Sequence, residues 1–168
     1  MNVLLLHPFS DISYARLQAG MPGASISRYA SLADAPPEAL AQADILFASD
    51  SRRLPLPEQT PRLAWLQGYW AGIDHVIGQP IFGGGRVRLT TSAGTHAVVM
   101  SEFAFMMMLN LSHRFSELQH WRASGAPGGW PINRRSYRTD VLDGATLGLI
   151  RYGAVGSRIA VLGSAFGM

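Results

Sequence analysis

Short apolar runs, set apart by polar and Gly- or Pro-containing segments, characterise the first half of the chain. Apolar runs of about four to eight residues bounded by turn residues are typical of buried strands. Strands are predicted at residues 3–6, 25–29, 44–48, 62–67 and 87–91. Short helices are predicted between them at residues 13–19 and 37–43, the second with Pro37 in its first turn, where proline is tolerated. This alternation predicts an α/β fold with a parallel sheet.

The hydrophobic period changes at residue 97. Residues 97–121 contain no Gly or Pro and predict one long helix. Its first half is apolar nearly all round, so we expect that half to be buried on several sides. The methionines there, Met100 and residues 106–108, fit core filling, with an adaptable binding surface as the alternative.

The last part of the chain combines a loop, a strand and a helix. Residues 124–140 are rich in Gly, Pro and Arg and predict a long loop. Residues 146–150 predict a strand, and residues 157–166 predict a helix that ends at Gly167 as its cap.

A Gly-rich turn lies between that strand and that helix. Such a turn presents the N–H groups of a helix N-terminus to a phosphate. The dinucleotide fingerprint G-x-G-x-x-G is matched at its second and third glycines, Gly153 and Gly156. Arg151 stands at the first position, where a long side chain strains the turn or obstructs a nucleotide. A purely structural turn is the alternative interpretation.

Composition excludes several kinds of chemistry. Of the 168 residues, 48% are hydrophobic and 15% charged, there is no Cys, and all 14 basic residues are Arg. Without Lys there is no Schiff-base or phosphate-loop lysine. Without Cys there is no disulfide, thiol nucleophile or cysteine zinc site. His113 and His120 lie seven residues apart, too far for an i, i+4 pair, so no metal site is predicted.

Charge and hydropathy bear on partners and location. The net charge is only +3, and the densest basic stretch, Arg134, Arg135 and Arg138, fits a solvated loop better than a nucleic-acid patch. The N-terminus lacks the basic region of a signal peptide, and no apolar run reaches the length of a membrane span. We therefore expect a soluble, cytoplasmic protein that binds neither nucleic acid nor membrane.

Three segments resemble the D-isomer-specific 2-hydroxyacid dehydrogenases. Residues 65–76, which contain Ala-Gly-Ile-Asp, look like the loop that follows a strand in that family. Residues 89–104, with the pair Ser101-Glu102, resemble its next strand and the start of its interdomain helix. The Leu-x-Gly-x-Thr-Leu-Gly-x-Ile run at residues 142–150 resembles the entry to its nucleotide-binding domain. The segments occur in the family's order and cover nearly the whole chain.

The resemblance implies a fold and site residues. It implies a flavodoxin-like substrate domain over residues 1–97, then, over residues 98–168, an interdomain helix and the first strand, turn and helix of an incomplete Rossmann domain. The substrate carboxylate would be held by backbone N–H groups at Ala71, Gly72 and Ile73, with a plain turn as the alternative. His96 would lie near the nicotinamide, although an ordinary histidine at a helix start is the alternative. The pyrophosphate of NAD or NADP would be lined by four consecutive residues: Gly153, Ala154, Val155 and Gly156.

The resemblance also implies an activity, hydride transfer between a nicotinamide and C2 of a small 2-hydroxy or 2-keto acid, in a parent enzyme that is a homodimer. The family's catalytic Arg, acidic residue and His follow the Gly-rich turn, so they would lie beyond Met168, and all five histidines precede that turn. We therefore expect a truncated chain with weakened cofactor binding and no activity alone. The alternative is a non-catalytic remnant that forms homo- or heterodimers through the apolar helix.

Overall fold

The computed structural model describes residues 1–125 and 137–168. The chain forms two compact units, residues 1–93 and residues 94–168. Part of the predicted loop at residues 124–140, including Arg134 and Arg135, lies outside the described residues.

The first unit is built on a parallel sheet of five strands. The strands are β1 (Asn2–Leu6), β2 (Ser25–Tyr29), β3 (Ile45–Ala48), β4 (Trp65–Gly68) and β5 (Arg88–Thr90). Their order in the sheet is β2-β1-β3-β4-β5, and every neighbouring pair is parallel. The α/β prediction is confirmed, and so are all five predicted strands of this unit, within one to three residues at their ends.

Two helices lie in the first crossovers. Helix α1 (Asp11–Gly20) begins after Ser10, whose hydroxyl accepts a hydrogen bond from the Ser13 amide, as an N-cap residue does. Helix α2 (Pro37–Gln42) begins with the proline that the sequence placed in its first turn. The chain passes from β1 to β2 on one side of β1 and then to β3 on its other side.

Strand alternation explains the core of the first unit. Leu4, Leu46 and Leu66 occupy equivalent register positions on β1, β3 and β4, and all three are buried. Successive strand residues point to opposite faces, so one face collects these leucines. Leu40 of α2 joins the same core cluster. Burial of each such side chain contributes about 1.5–3 kcal/mol.

An aspartate holds the amino end of this sheet. The Asp44 carboxylate accepts a hydrogen bond from the Asn2 amide at 2.8 Å and pairs with the Arg62 guanidinium at 2.9 Å. The backbone hydrogen bond from Asn2 is the largest influence and lowers the pKa of Asp44 below its ordinary value. Desolvation opposes it, and the hydrogen bond and charge of Arg62 lower the pKa further.

The second unit contains three helices within the described residues: α3 (Ala97–Ser112), α4 (Phe115–Ala123) and α5 (Ala154–Ala165). The prediction of one helix over residues 97–121 is wrong, because the helix stops at His113. Arg114 has a left-handed φ of 50° and pairs through Nε with Glu117 at 2.9 Å. The Tyr137 hydroxyl donates to the His113 carbonyl at 2.6 Å, so a residue distant in sequence holds the break.

The predicted strand at residues 146–150 is also wrong. These residues make no strand pairing, and Ile150 is 97% exposed. A strand needs a neighbour to satisfy its backbone N–H and C=O groups, and the described part of this unit offers none. The segment packs on α5, where Leu147 fills the space that a side chain at Gly163 would need.

Helix α3 is not buried on several sides, so that expectation is wrong too. Only Ser101 and Phe105 are buried, the latter in a stack with Phe166 whose ring centroids are 5.0 Å apart. Val99 is 64% exposed, Phe103 55% and Leu111 72%. These three recur at helical spacing, so α3 presents an apolar stripe that no described residue covers.

Candidate functional site

The loop after β4 begins with a close contact. A Cβ at Gly68 would lie 2.5 Å from the indole of Trp70, so only glycine lets the chain turn tightly enough for Trp70 to pack back on the core cluster. Ser92 donates its amide to the Trp70 carbonyl at 2.9 Å and fixes the start of the loop. This end of the sheet, where the parallel strands finish, is where ligands bind in open α/β sheets.

The next three residues leave their amides free. Ala71, Gly72 and Ile73 are exposed, and none of their N–H groups donates to another described residue. The Ile73 carbonyl accepts the amides of Val76 at 2.9 Å and Ile77 at 3.0 Å, which closes a turn just beyond them. Three consecutive unpaired amides on an anchored turn can donate together to one carboxylate. The loop predicted for the substrate carboxylate therefore has the donors that such binding needs.

A cluster of aromatic rings lies at this end of the sheet, and the sequence analysis did not predict it. The rings of His7 and Tyr69 stack with centroids 5.5 Å apart, and Phe47 lies 6.0 Å from Tyr69. The two buried side-chain nitrogens without a partner in the described residues, His7 Nδ1 and Trp70 Nε1, both belong to this end of the sheet. Unsatisfied buried polar groups are rare and often mark function. The feature of the sequence that could have indicated this cluster is the position of His7, directly after a buried strand.

The Gly-rich turn lies in the second unit. Arg151 has a positive φ of 72°, a left-handed conformation that glycine adopts without strain. A Cβ at Gly156 would lie 2.5 Å from the Arg151 carbonyl oxygen, so the third glycine is required by the close return of the chain. The strain at Arg151 and the need for Gly156 thus arise from one turn.

Gly153 is different, because neither its backbone nor its neighbours require glycine. Its φ is −90°, and a Cβ there would meet no atom within 4 Å. It caps α5 with no side-chain hydrogen bond, and the first amides of that helix, including those of Ala154 and Val155, donate to no described residue. Space at the second glycine beside unpaired helix amides fits a pyrophosphate.

His96 lies in the same unit as this turn. It precedes α3 and is exposed, and its Nδ1 is 3.1 Å from the Thr95 hydroxyl. Two residues earlier, Gly94 approaches the turn so closely that a Cβ on it would lie 3.4 Å from the Ala154 Cβ. The structure thus brings the segment that carries His96 to the residues predicted for the pyrophosphate.

The described residues contain neither a metal-ligand cluster nor a membrane-spanning helix. Across residues 1–125 and 137–168, no three His, Asp or Glu side chains come together as ligands for a metal ion. None of the helices in those same ranges combines the length and the apolar character needed to cross a membrane.

The chain has a fold that also occurs in solved structures of D-isomer-specific 2-hydroxyacid dehydrogenases. Among solved structures, the chain is similar to D-lactate dehydrogenase from Aquifex aeolicus complexed with NAD and lactic acid, with 22% identity and a TM-score of 0.68. A glycerate dehydrogenase related protein from Thermoplasma acidophilum has 25% identity and a TM-score of 0.60.

The fold also occurs in an enzyme of different specificity, an acyclic imino acid reductase complexed with NADPH and D-Arg, with 14% identity and a TM-score of 0.71. All of this chain aligns with each of the three proteins, but it spans only 49%, 52% and 54% of their chains. Neither the models of protein families nor the curated proteins give a match. The predicted resemblance is confirmed for the fold.

Proposed function

We propose that this chain is part of an NAD(P)-dependent oxidoreductase of the D-isomer-specific 2-hydroxyacid dehydrogenase family, acting on the CH–OH group of a small 2-hydroxy acid. The observation that carries the proposal is the run of three unpaired amides at Ala71, Gly72 and Ile73, at the carboxyl end of β4 in this fold. A 2-hydroxy or 2-keto acid always carries a carboxylate beside its reacting carbon. An anchored set of amide donors can hold that carboxylate and so fix C2 in place.

The second unit would hold the cofactor. The free amides at the start of α5 would bind the pyrophosphate, with Gly153, Ala154, Val155 and Gly156 around it and His96 near the nicotinamide. The bound nicotinamide would supply or accept the hydride at C2. Arg151 places a long cationic side chain where the fingerprint has glycine, and we expect weaker cofactor binding for that reason.

We assign no residue of this chain to proton transfer at C2. A general acid or base must come within hydrogen-bond reach of the substrate hydroxyl, and none of the five histidines matches the family's catalytic position. We therefore expect no oxidation of NADH by the 168-residue chain with glyoxylate or hydroxypyruvate. NADH oxidation above the rate without protein would contradict this expectation.

Carboxylate binding can be tested without turnover. The probe is oxamate, an unreactive analogue of a 2-keto acid, titrated into the ¹⁵N-labelled chain and followed by NMR. We expect saturable shifts of the Ala71, Gly72 and Ile73 amides. Ala71→Pro removes one of these donors, and should weaken binding about tenfold, since a hydrogen bond to a charged group contributes about 1.5–3 kcal/mol.

The matched control for that variant is Gly84→Pro. It removes an amide that also lacks a partner among the described residues, in an exposed turn of the same unit. Oxamate affinity should not change in this control. Equal loss of affinity in both variants, or no shift of the three loop amides in the unsubstituted chain, would contradict the carboxylate role of the loop.

A second candidate function is self-association through α3. The observation that favours it is the exposed apolar stripe of Val99, Phe103 and Leu111, since large exposed apolar patches mark interfaces. We expect a dimer in light scattering coupled to gel filtration, and a monomer after Phe103→Glu. A monodisperse monomer of the unsubstituted chain would exclude this function.

A further inference from the structure

The first unit contains a cavity that the proposed function does not use. It has a volume of about 220 Å³ and lies at the carboxyl ends of β1 and β3, where Leu6 and Ala48 line it. The chain leaves β1 for β2 on one side and reaches β3 on the other, so this is the point where the strand order reverses. Connections diverge there and leave a crevice, which is the general ligand position in doubly wound sheets.

Two serines on the rim of the cavity present acceptors only. The Ser31 hydroxyl donates to the Asp34 carboxylate at 2.7 Å, and the Ser49 hydroxyl donates to the Leu6 carbonyl at 3.1 Å. A hydroxyl has one proton to donate, and both are committed within the protein. Each of these two oxygens can therefore only accept a hydrogen bond from a ligand.

Two charged residues complete the lining. The Asp50 carboxylate accepts the Arg52 amide at 2.9 Å and keeps further lone pairs for a ligand. Arg53 also lines the cavity, and its guanidinium makes no hydrogen bond or ion pair with another described residue. The cavity thus combines three acceptor groups, of which one is anionic, with one available cation.

We propose that this cavity binds a small zwitterionic amino acid. The ammonium group has three N–H donors, which match the three acceptors of Ser31, Ser49 and Asp50. The carboxylate pairs with the guanidinium of Arg53, whose planar fork suits two parallel hydrogen bonds.

The size and walls of the cavity limit the ligand's side chain. Pockets for drug-sized ligands measure about 300–1,000 Å³, so the occupant has few heavy atoms. The remaining lining is aliphatic and comprises Leu6, Ala30, Leu32, Ala33 and Ala48. A short apolar side chain such as that of alanine suits these walls. None of these residues belongs to the amide loop or the Gly-rich turn, so the site stands independently of the proposed dehydrogenase function.

The test is a titration of the ¹⁵N-labelled chain with L-alanine, L-lactate and L-alaninamide. Lactate replaces the ammonium by a hydroxyl, and alaninamide removes the anionic carboxylate. We expect saturable shifts of the Ala30 and Ser49 amides with alanine, and at least about tenfold weaker binding of the other two, because each loses charge-assisted hydrogen bonds. Lactate binding as tightly as alanine would overturn the assignment of an ammonium group.

Variants with a matched control locate the ligand. Asp50→Asn keeps an acceptor for the Arg52 amide but loses the charge, and Arg53→Gln removes the cation. Each should weaken alanine binding about tenfold. Arg52→Gln, which changes a neighbouring arginine that does not line the cavity, should leave the affinity within about twofold. Equal effects of Arg52→Gln and Arg53→Gln would show a diffuse charge effect and contradict the proposal.

One further variant tests the volume of the site directly. Ala33→Leu places a larger side chain in the cavity and should abolish the alanine-dependent shifts, while the amide signals of the sheet core, such as Leu66, stay unchanged. Alanine binding retained in this variant, or no saturable shift in the unsubstituted chain, would overturn the site. Shifts confined to Ala71 and Gly72 would instead assign alanine to the carboxylate loop.

Discussion

The two units use apolar residues in opposite ways. In the first unit, each central strand has a neighbour on both sides, and Leu46 and Leu66 are fully buried between the sheet and its covering segments. In the second unit, residues 146–150 have no strand neighbour among the residues that the structure describes, and α3 exposes Val99 and Phe103. Both regions are rich in apolar residues, so hydrophobicity alone does not explain the difference. What differs is the availability of partners, because a strand or an apolar helix face is completed only by another element.

This difference indicates where stability resides. The first unit has a closed set of backbone pairs and a contiguous core. The second depends on a few contacts, such as the Phe105–Phe166 stack and the packing of Leu147 against Gly163. Regions with few buried apolar contacts open at low free energy. We therefore expect the second unit to exchange its amide hydrogens before the first.

The largest effect is expected from Leu66→Ala in β4. Leu66 is fully buried, and the truncation should lower the free energy of unfolding by about 2–5 kcal/mol. The control is Phe103→Ala in α3, which removes a larger but half-exposed side chain and should cost less. Chemical denaturation followed by circular dichroism measures both. A greater loss of unfolding free energy from Phe103→Ala than from Leu66→Ala would contradict the conclusion that stability resides mainly in the first unit.

A smaller effect is expected from Gly156→Ala in the Gly-rich turn. The new Cβ would lie 2.5 Å from the Arg151 carbonyl oxygen, so the turn must shift, with a cost of about 1–3 kcal/mol. Gly153→Ala is the matched control, since its Cβ enters open space and should leave stability nearly unchanged. Hydrogen exchange of the α5 amides distinguishes the variants. Equal destabilisation by both would contradict the distinct roles given to the two glycines.

Arg151→Gly should stabilise the second unit. The left-handed φ of 72° costs a non-glycine residue about 1–2 kcal/mol, part of which is offset because glycine loses more freedom on folding. The expected gain is therefore about 1 kcal/mol or less, read as slower hydrogen exchange in α5 with no change in the sheet. Faster exchange in this variant would show that the Arg151 side chain itself holds the turn.

The smallest effect is expected in the pH dependence of stability, and it concerns the first unit alone. The pKa of Asp44 is lowered by the Asn2 amide and then by Arg62, so its stabilising contribution is present above the ordinary aspartate pKa and is lost as pH falls through the lower folded value. Asp44→Asn should therefore reduce stability at neutral pH. The difference in stability between this variant and the unsubstituted chain should become smaller as the pH falls.

A matched control for Asp44→Asn is Glu58→Gln, because the Glu58 carboxylate makes no hydrogen bond or ion pair within the described residues. Thermal unfolding from neutral to acidic pH should show no such narrowing for this control. A difference between the unsubstituted chain and Asp44→Asn that stays constant with pH would contradict the role of the Asp44 carboxylate.

The candidate site was predictable in part. The loop at Ala71, Gly72 and Ile73 and the turn at Gly153 and Gly156 were visible as glycine patterns beside apolar runs, because glycine marks places where backbone approaches a ligand or turns sharply. The stack of His7 on Tyr69 was not visible, since these residues lie far apart in sequence. Only the parallel register of β1, β3 and β4 brings their ends together.

The sequence by itself determined the local elements of the first unit. Its short apolar runs, turn residues and Pro37 act over a few neighbouring positions, and the strands formed where these patterns predicted them. Only the tertiary structure decided that the long helix breaks at Arg114, that residues 146–150 form no strand, and that an acceptor-lined cavity lies where the strand order reverses. Each of these depends on what a segment meets across space, because backbone groups and apolar faces need partners that local sequence does not specify.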